Sequence, residues 1–475
     1  MPVVIERPLR TLFIAAVAVY AATAATAARA AAQSALPAGL RGKIDSIARA
    51  ALASSGAPSI SLAVVKDGQI AYAQAYGQAR LSPALAAAPT MRYSIGSVSK
   101  QITATAVLLL AEQHKLSLDD KVSRWFPSLT RANEVSVRQL LSMTSGYQDF
   151  WPQDYVMPPM LKPTTATAIT DQWAKMPLDF DPGAKWQYSN TNYVIAGMIV
   201  EKVAGMPLVD YLRQHIFTPL HMSSVFISDE GALGPTDPER YERYGLGPPR
   251  VAPKEGRGWM FAAGELAMTA SDLARWDISV IKQSILTPAS YHEQQTSLLL
   301  KDGRATGYGL GVYTGSLLGH RMISHGGEVS GFCTQNEIFP DDGMAVVVYA
   351  NLFATDVQAE VANKVAALLF STSDAATEKA TAEAKAIFID LQHGTIDRTR
   401  FTSNANAYFS QQALADFKMS LGTCGAVREI NQTSRSLRGG MTYRGFHIAC
   451  GDKAFAVSAF VMPDGKWEQY IVTAD

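Results

Sequence analysis

The chain has 475 residues, 48% hydrophobic and 18% charged, with 42 basic residues against 42 acidic ones. That is long enough for one large core and a second domain, and a formal net charge of zero offers nothing to a polyanion. No block of like charges, basic stripe with interleaved aromatics, HExxH or Cys-x-x-Cys occurs, which argues against nucleic acid and leaves no metal or cofactor expected.

Residues 1–32 read as a secretory signal. Arg7 and Arg10 precede an alanine-rich apolar stretch from Leu12 to Ala28, and small residues follow at Ala28-Arg29-Ala30 and Ala30-Ala31-Ala32. An uncleaved anchor is the alternative, but about 17 weakly apolar residues is the low end for a membrane span. The expected location is periplasmic or secreted.

Residues 35–370 read as one domain. Ile44, Ile47, Ala48, Ala51 and Leu52 keep helical spacing, and the runs Ile60 to Val65 and Gln69 to Tyr76 form a hairpin across Lys66-Asp67-Gly68. Ser97-Val98-Ser99-Lys100 then opens an apolar helix from Ile102 to Ala111. From Val122 to Gln295 the pattern is mainly helical and looped, with turn-rich stretches at Pro158 to Thr165 and Gly245 to Gly258. Strand signals return at Gly307 to Gly315, Arg321 to Ser324, Phe332 to Phe339 and Met344 to Ala350, and a helix follows from Val357 to Phe370. Strands at both ends with helices between predict an α+β fold: one antiparallel sheet built from the two chain ends, flanked by a helical region.

Ser371 to Ala382, rich in Ser, Thr and Ala, reads as a linker. Residues 383–475 read as a small α+β accessory domain. It has helices near Glu383 to Gln392 and Gln411 to Leu421, and strands at Tyr443 to Cys450, Ala454 to Met462 and Trp467 to Val472. Cys424 and Cys450 fall close enough in sequence to pair, whereas Cys333 has no obvious mate.

The chemistry centres on Ser97. A serine in the first turn of a helix faces free backbone N–H groups, and Lys100 lies one turn along on the same face. A serine hydroxyl becomes a nucleophile when a base takes its proton, and lysine serves once burial lowers its pKa from about 10.4. Ser279-Val280-Ile281-Lys282 repeats the spacing on an amphipathic helix, so partners elsewhere must separate the copies. Two are present. Tyr188-Ser189-Asn190 lies in a loop entering a helix, where cationic neighbours would lower the tyrosine pKa for proton relay, and Asn190 would hold a substrate carbonyl. Tyr349-Ala350-Asn351 at a strand end is its decoy. His325-Gly326-Gly327 closes the Arg321 to Ser324 strand, and glycine there lets backbone approach a ligand and aim an N–H at a developing oxyanion.

Ser-x-x-Lys, Tyr-x-Asn and a His-x-Gly strand, in that order, resemble the serine β-lactamase and penicillin-binding-protein superfamily, in its class C-like branch with esterases and D-aminopeptidases. Val137 to Gly146, Tyr188 to Tyr193, Pro219-Leu220-His221-Met222, Ala263-Gly264 through Asp272-Leu273-Ala274, and Gly307 to Gly311 resemble it too. The resemblance runs from about Leu40 to Phe370 and implies a β-lactamase-like fold. It implies Ser97 as nucleophile, Lys100 and Tyr188 sharing its proton, and Ser97 and Glu328 backbone N–H groups as the oxyanion hole. It also implies a substrate-binding set of Asn190, His325, Gly327 and Glu328.

His325 stands where β-lactamases and carboxypeptidases usually keep a lysine, and Gly326 where they keep a hydroxyl. A largely neutral histidine suits a substrate carboxylate poorly. The expected activity is therefore acyl-enzyme hydrolysis of a small ester, amide or peptide by an exported serine hydrolase of esterase or D-aminopeptidase type. The alternatives are β-lactamase or DD-peptidase activity, and a non-catalytic binder of cell-wall-like peptides whose C-terminal domain docks a partner.

Overall fold

The hairpin runs extend in both directions into long strands. The structure is a computed structural model describing residues 36–153, 155–373 and 375–474, with side chains of 372–376 left out; the expected signal 1–32 lies outside the described residues. Helix α1 (Ala38–Ser55) precedes β1 (Ser59–Lys66), β2 (Gln69–Leu81) and β3 (Ala84–Ala86). Then come α2 (Ser99–Glu112), α3 (Val137–Leu141), α4 (Ala166–Trp173), α5 (Asn190–Ala204) and α6 (Ala270–Lys282). The later strands are β4 (Tyr313–Leu317), β5 (His320–Val329), β6 (Phe332–Phe339) and β7 (Met344–Ala350), followed by α7 (Val357–Ser373).

These strands make a seven-stranded sheet in the order β3-β2-β1-β7-β6-β5-β4. Antiparallel pairing of β1 with β7, Ile60 opposite Ala350, joins the two chain ends as expected. Both strands are apolar and buried along nearly their whole length, because they sit mid-sheet with helices α1 and α6 packed on β1. The fold is α+β, with the antiparallel sheet expected from strands at both ends of the domain.

Helix α2 is apolar on almost every side and therefore lies inside the core, with Ile102, Ala104, Ala106, Val107, Leu108 and Leu110 all buried. Each such side chain withdrawn from water contributes on the order of 1.5–3 kcal/mol for the larger ones. Its buried polar residues are all paired: Thr103 Oγ1 donates to Ala262 O at 2.8 Å, and Gln101 Nε2 to Asn336 Oδ1 at 2.9 Å. This burial places Lys100, at its second position, wholly out of solvent.

Two strand expectations change. Gly307 to Val312 folds into turns, because its backbone is spent locally, Gly309 N–H on Val312 O at 2.8 Å and Thr314 N–H on Gly307 O at 2.9 Å; only Tyr313–Leu317 is strand. His325-Gly326-Gly327 does not end its strand but lies inside β5, which continues to Val329 against β6.

The described residues of the expected linker Ser371–Ala382 are helical, with α7 reaching Ser373 and α8 spanning Ala375–Gln392. Ala, Glu and Lys are strong helix formers, which outweighs the Ser and Thr content that marked the stretch as a linker. The chain instead divides between Ala362 and Asn363, and the second unit also takes in Ser316–His320. That unit continues through α9 (Gln411–Leu421) into an antiparallel sheet of β8 (Val427–Arg438), β9 (Met441–Cys450), β10 (Lys453–Val461) and β11 (Trp467–Ala474). Strand β8 was invisible to hydrophobic alternation because it is a polar edge strand, paired only with β9. Phe388, Leu391, Phe401, Phe409, Phe446, Ile448, Trp467 and Tyr470 form the core of this unit, and a Cys424–Cys450 disulfide ties the start of β8 to the end of β9. The bridge closes a span of 26 residues, so Cys424→Ser with Cys450→Ser is expected to cost about 3 kcal/mol and lower the melting temperature of this unit. Calorimetry of the variant and of reduced wild type should show the same shift; an unchanged melting profile would contradict the bridge.

Candidate active site

Gly96-Ser97-Val98 forms a 3-10 turn leading directly into α2, so Ser97 is half-buried at the helix start and Lys100 lies one turn inward. Lys100 Nζ makes three contacts: Ser97 Oγ at 2.8 Å, Asn190 Oδ1 at 2.7 Å and Ala263 O at 2.8 Å. Burial pushes its pKa down to about 7, opposed by the Asp149 carboxylate. The two carbonyl-type oxygens can only accept. Once Lys100 is neutral, its two N–H bonds are committed to them, and the lone pair is left facing Ser97 Oγ. That is the geometry of a general base on a serine nucleophile.

The loop before α5 brings Tyr188 and Asn190 to the same point. Tyr188 lines the same cavity as Ser97, and Lys100 Nζ stands 5.0 Å from its ring centroid. The expectation that cations lower the Tyr188 pKa is overturned: burial raises it well above 10, so the phenol is neutral and holds its proton. It can donate a proton or relay one, but it is not a resident phenolate.

Strand β5 supplies the opposite side. His325 is buried, with Nδ1 2.6 Å from Gly326 O and Nε2 3.0 Å from Tyr308 OH. A carbonyl oxygen only accepts, so Nδ1 carries the hydrogen and Nε2 accepts from Tyr308. Burial and the neighbouring Lys100 push the ring pKa down to about 3. Both ring nitrogens are already engaged, and His325 lines the cavity as a neutral group among Tyr188, Tyr308 and Tyr313.

Gly327 is required by close approach, since a Cβ there would fall 2.0 Å from Ile95 O. Thr334 Oγ1 also donates to Ile95 O, at 3.0 Å, tying the residues before Ser97 to the sheet. A Cβ on Gly96 would stand 2.9 Å from Glu328 N, which places that N–H beside the Ser97 turn, where an oxyanion donor is needed.

Ser97, Tyr188, Asn190, His325, Gly327 and Glu328 line a cavity of about 460 Å³. One wall joins the two loops that the sequence marked as turn-rich. Gly256 N–H bonds Met160 O at 2.7 Å, Thr164 N–H bonds Arg257 O at 2.8 Å, and Trp259 Nε1–H bonds Lys162 O at 2.7 Å. Phe150, Trp173 and Trp259 stack behind that wall. No Lys or Arg is among the described lining residues, whereas Asp149 and Glu328 are.

The decoys separate cleanly. Ser279 Oγ donates to Trp276 O at 2.7 Å and is buried, while Asn351 bonds Ser59, Ala79 O and Glu239 O as a structural strut. Sequence reasoning missed Tyr308 and Asp149. Tyr308 sits in the Gly-Tyr-Gly-Leu-Gly phrase already noted, but Asp149 stands in a loop without periodicity. Asp149 Oδ1 accepts from the Asn190 N–H at 2.9 Å and the Trp151 N–H at 3.2 Å, and its Oδ2 from Asn190 Nδ2 at 3.3 Å.

A family model for β-lactamases matches residues 44–370, more than half of the chain. The chain belongs to the β-lactamase family. It is 27% identical over 304 residues to penicillin-binding protein 4* of Bacillus subtilis, covering 60% of this chain and 66% of that relative, just under two thirds of its length. Among solved structures, a D-stereospecific amidohydrolase from Streptomyces sp. aligns with a TM-score of 0.59 and 25% identity over 67% of this chain and 96% of that one. A D-amino acid amidase from Ochrobactrum anthropi SV3 shares the fold, with a TM-score of 0.63 and 24% identity over 71% of this chain and 100% of that one. Residues beyond 370 lie outside the family match.

If Lys100 must be neutral to act, the labelling rate of Ser97 by a fluorophosphonate should rise with pH through a limb near 7. A rate flat from pH 5 to 9 would contradict this. Gly327→Ala should slow labelling about 100-fold or more, because the clash with Ile95 O displaces the Glu328 N–H.

Proposed function

We propose that this chain is an exported serine hydrolase that cleaves a small amide or ester through an acyl-enzyme on Ser97. The observation that carries the reading is the commitment of two Lys100 N–H bonds to Asn190 Oδ1 and Ala263 O, which leaves its lone pair facing Ser97 Oγ. Ser97 Oγ attacks the substrate carbonyl carbon as its proton passes to Lys100. The Ser97 and Glu328 N–H groups hold the resulting oxyanion, a contribution of about 3 kcal/mol per donor. Tyr188, neutral beside Ser97 in the cavity, passes its proton to the leaving group and takes the serine proton from Lys100 in return, and the ester bond to Ser97 replaces the bond that breaks. Water then attacks the acyl group, giving its proton back through the same residues and restoring the serine.

Charge narrows the substrate. The cavity lining includes Asp149 and Glu328, a neutral His325, and no Lys or Arg among its described residues. A carboxylate-bearing substrate, such as a β-lactam or a D-alanyl-D-alanine peptide, meets no cation at the cavity wall. A neutral or amine-bearing acyl group meets carboxylates and aromatic faces. The D-stereospecific amidohydrolase similarity supports D-amino acid amides as the first class to test. Export is supported by the basic-apolar-small pattern of residues 1–32 and by the Cys424–Cys450 disulfide, which favours an oxidising compartment.

Purified protein and Ser97→Ala should be run together on D- and L-amino acid amides, short-chain esters, a D-alanyl-D-alanine peptide and a chromogenic β-lactam. Turnover of an amide or ester, lost in Ser97→Ala, with at least about 10-fold lower kcat/KM for the two carboxylate substrates, is the expected result. Preference for the carboxylate substrates would overturn the charge argument. Labelling that persists in Ser97→Ala would overturn the nucleophile.

A further inference from the structure

Asn190 can serve Lys100 in only one of its two amide orientations. With Oδ1 toward Lys100 the asparagine accepts, and the lysine lone pair is left for Ser97. With Nδ2 toward Lys100 the asparagine donates, competes for that lone pair, and turns the base away from the nucleophile. The two orientations occupy nearly the same volume, so something else must choose between them.

Asp149 is the chooser. Its Oδ2 stands 3.3 Å from Asn190 Nδ2, and a carboxylate oxygen accepts from an NH2 group but repels a carbonyl oxygen. Its Oδ1 also accepts the Asn190 backbone N–H at 2.9 Å and the Trp151 N–H at 3.2 Å, fixing the carboxylate against the first residue of α5. Asp149 touches neither Ser97 nor Lys100 by any hydrogen bond described above, yet it is one asparagine away from Lys100 and, through Lys100, from Ser97. We propose that Asp149 is the positioning residue of the base: it locks the Asn190 amide with Oδ1 on Lys100 and thereby aims the lysine lone pair at Ser97. This rests on the reading of Ser97 and Lys100 as nucleophile and base.

The same carboxylate sets the pH at which the base works. The groups that face Lys100 are Tyr188 and Tyr193 from the loop before α5 and from α5 itself, His325 from β5, and Asp149 from its loop. Burial keeps both phenols and the imidazole neutral; it also raises the Asp149 carboxyl above its ordinary value, while the Trp151 and Asn190 hydrogen bonds and Lys100 pull it back, and Asp149 is the group among them that faces Lys100 as an anion when ionised. An anion nearby favours the ammonium and raises the Lys100 pKa; removing it lowers that pKa, so the neutral base appears at lower pH.

Asp149→Asn is the sharpest variant. It keeps an oxygen for the two backbone N–H groups but presents an NH2 to Asn190 Nδ2, which favours the flipped amide. With an uncharged ester substrate, the expected result is kcat about 100-fold lower with KM changed less than about 3-fold, and the acid limb of the pH profile moved to lower pH. Asp149→Ala, with added formate to replace the carboxylate, should regain part of the lost kcat. A melting temperature near wild type identifies a folded variant. Wild-type kcat in Asp149→Asn, an acid limb that stays in place, or no recovery with formate would overturn the proposal. Loss of labelling in Ser97→Ala, measured alongside, keeps the nucleophile reading separate: its persistence there would overturn that reading instead.

Discussion

Three hydrogen bonds to one buried ammonium-or-amine organise this molecule. Lys100 lies out of solvent in a helix that is itself core, and a cation there is costly unless fully paired. The fold supplies pairing from three separate places: the turn before α2, the first residue of α5, and the backbone at Ala263. Each contact requires its element to arrive within about a hydrogen-bond length of the others. The antiparallel joining of the two chain ends in the sheet, and the Thr334 tie to Ile95, bring those elements into register. The site is therefore a consequence of how the core closes, not an attachment to it.

The same burial decides what each ionisable group does. It lowers Lys100 toward neutrality, raises Tyr188 so that it keeps its proton, and holds His325 neutral between Gly326 O and Tyr308. One cause acting on three groups gives a base, a proton donor and an uncharged wall. The wall faces a cavity whose described lining holds two carboxylates and no cation, while Lys100 lies out of solvent behind Ser97.

Much of this was legible in the sequence because short-range chemistry left a trace. The Ser97 to Lys100 spacing, the Tyr188 to Asn190 loop and the His325 to Gly327 strand each pointed to one element, and those elements converge. What the sequence hid was long-range. Asp149 lies in an irregular loop, and its meaning comes only from Asn190, 41 positions away. Burial reversed the expected shift at Tyr188, and no local pattern reports burial at a loop residue. Alternation likewise failed at Val427–Arg438, whose edge position lets polar residues occupy both faces, and Ser and Thr content misread the described residues of Ser371–Ala382 as a linker rather than helix.

The state of Lys100 is the claim on which the rest depends. Titration of the protein with 13C-labelled lysine side chains, followed by NMR, reads that state directly, with Lys100→Arg identifying the resonance. The account predicts that Lys100 titrates near pH 7, well below an ordinary lysine. A Lys100 resonance that stays protonated up to pH 10 would contradict it.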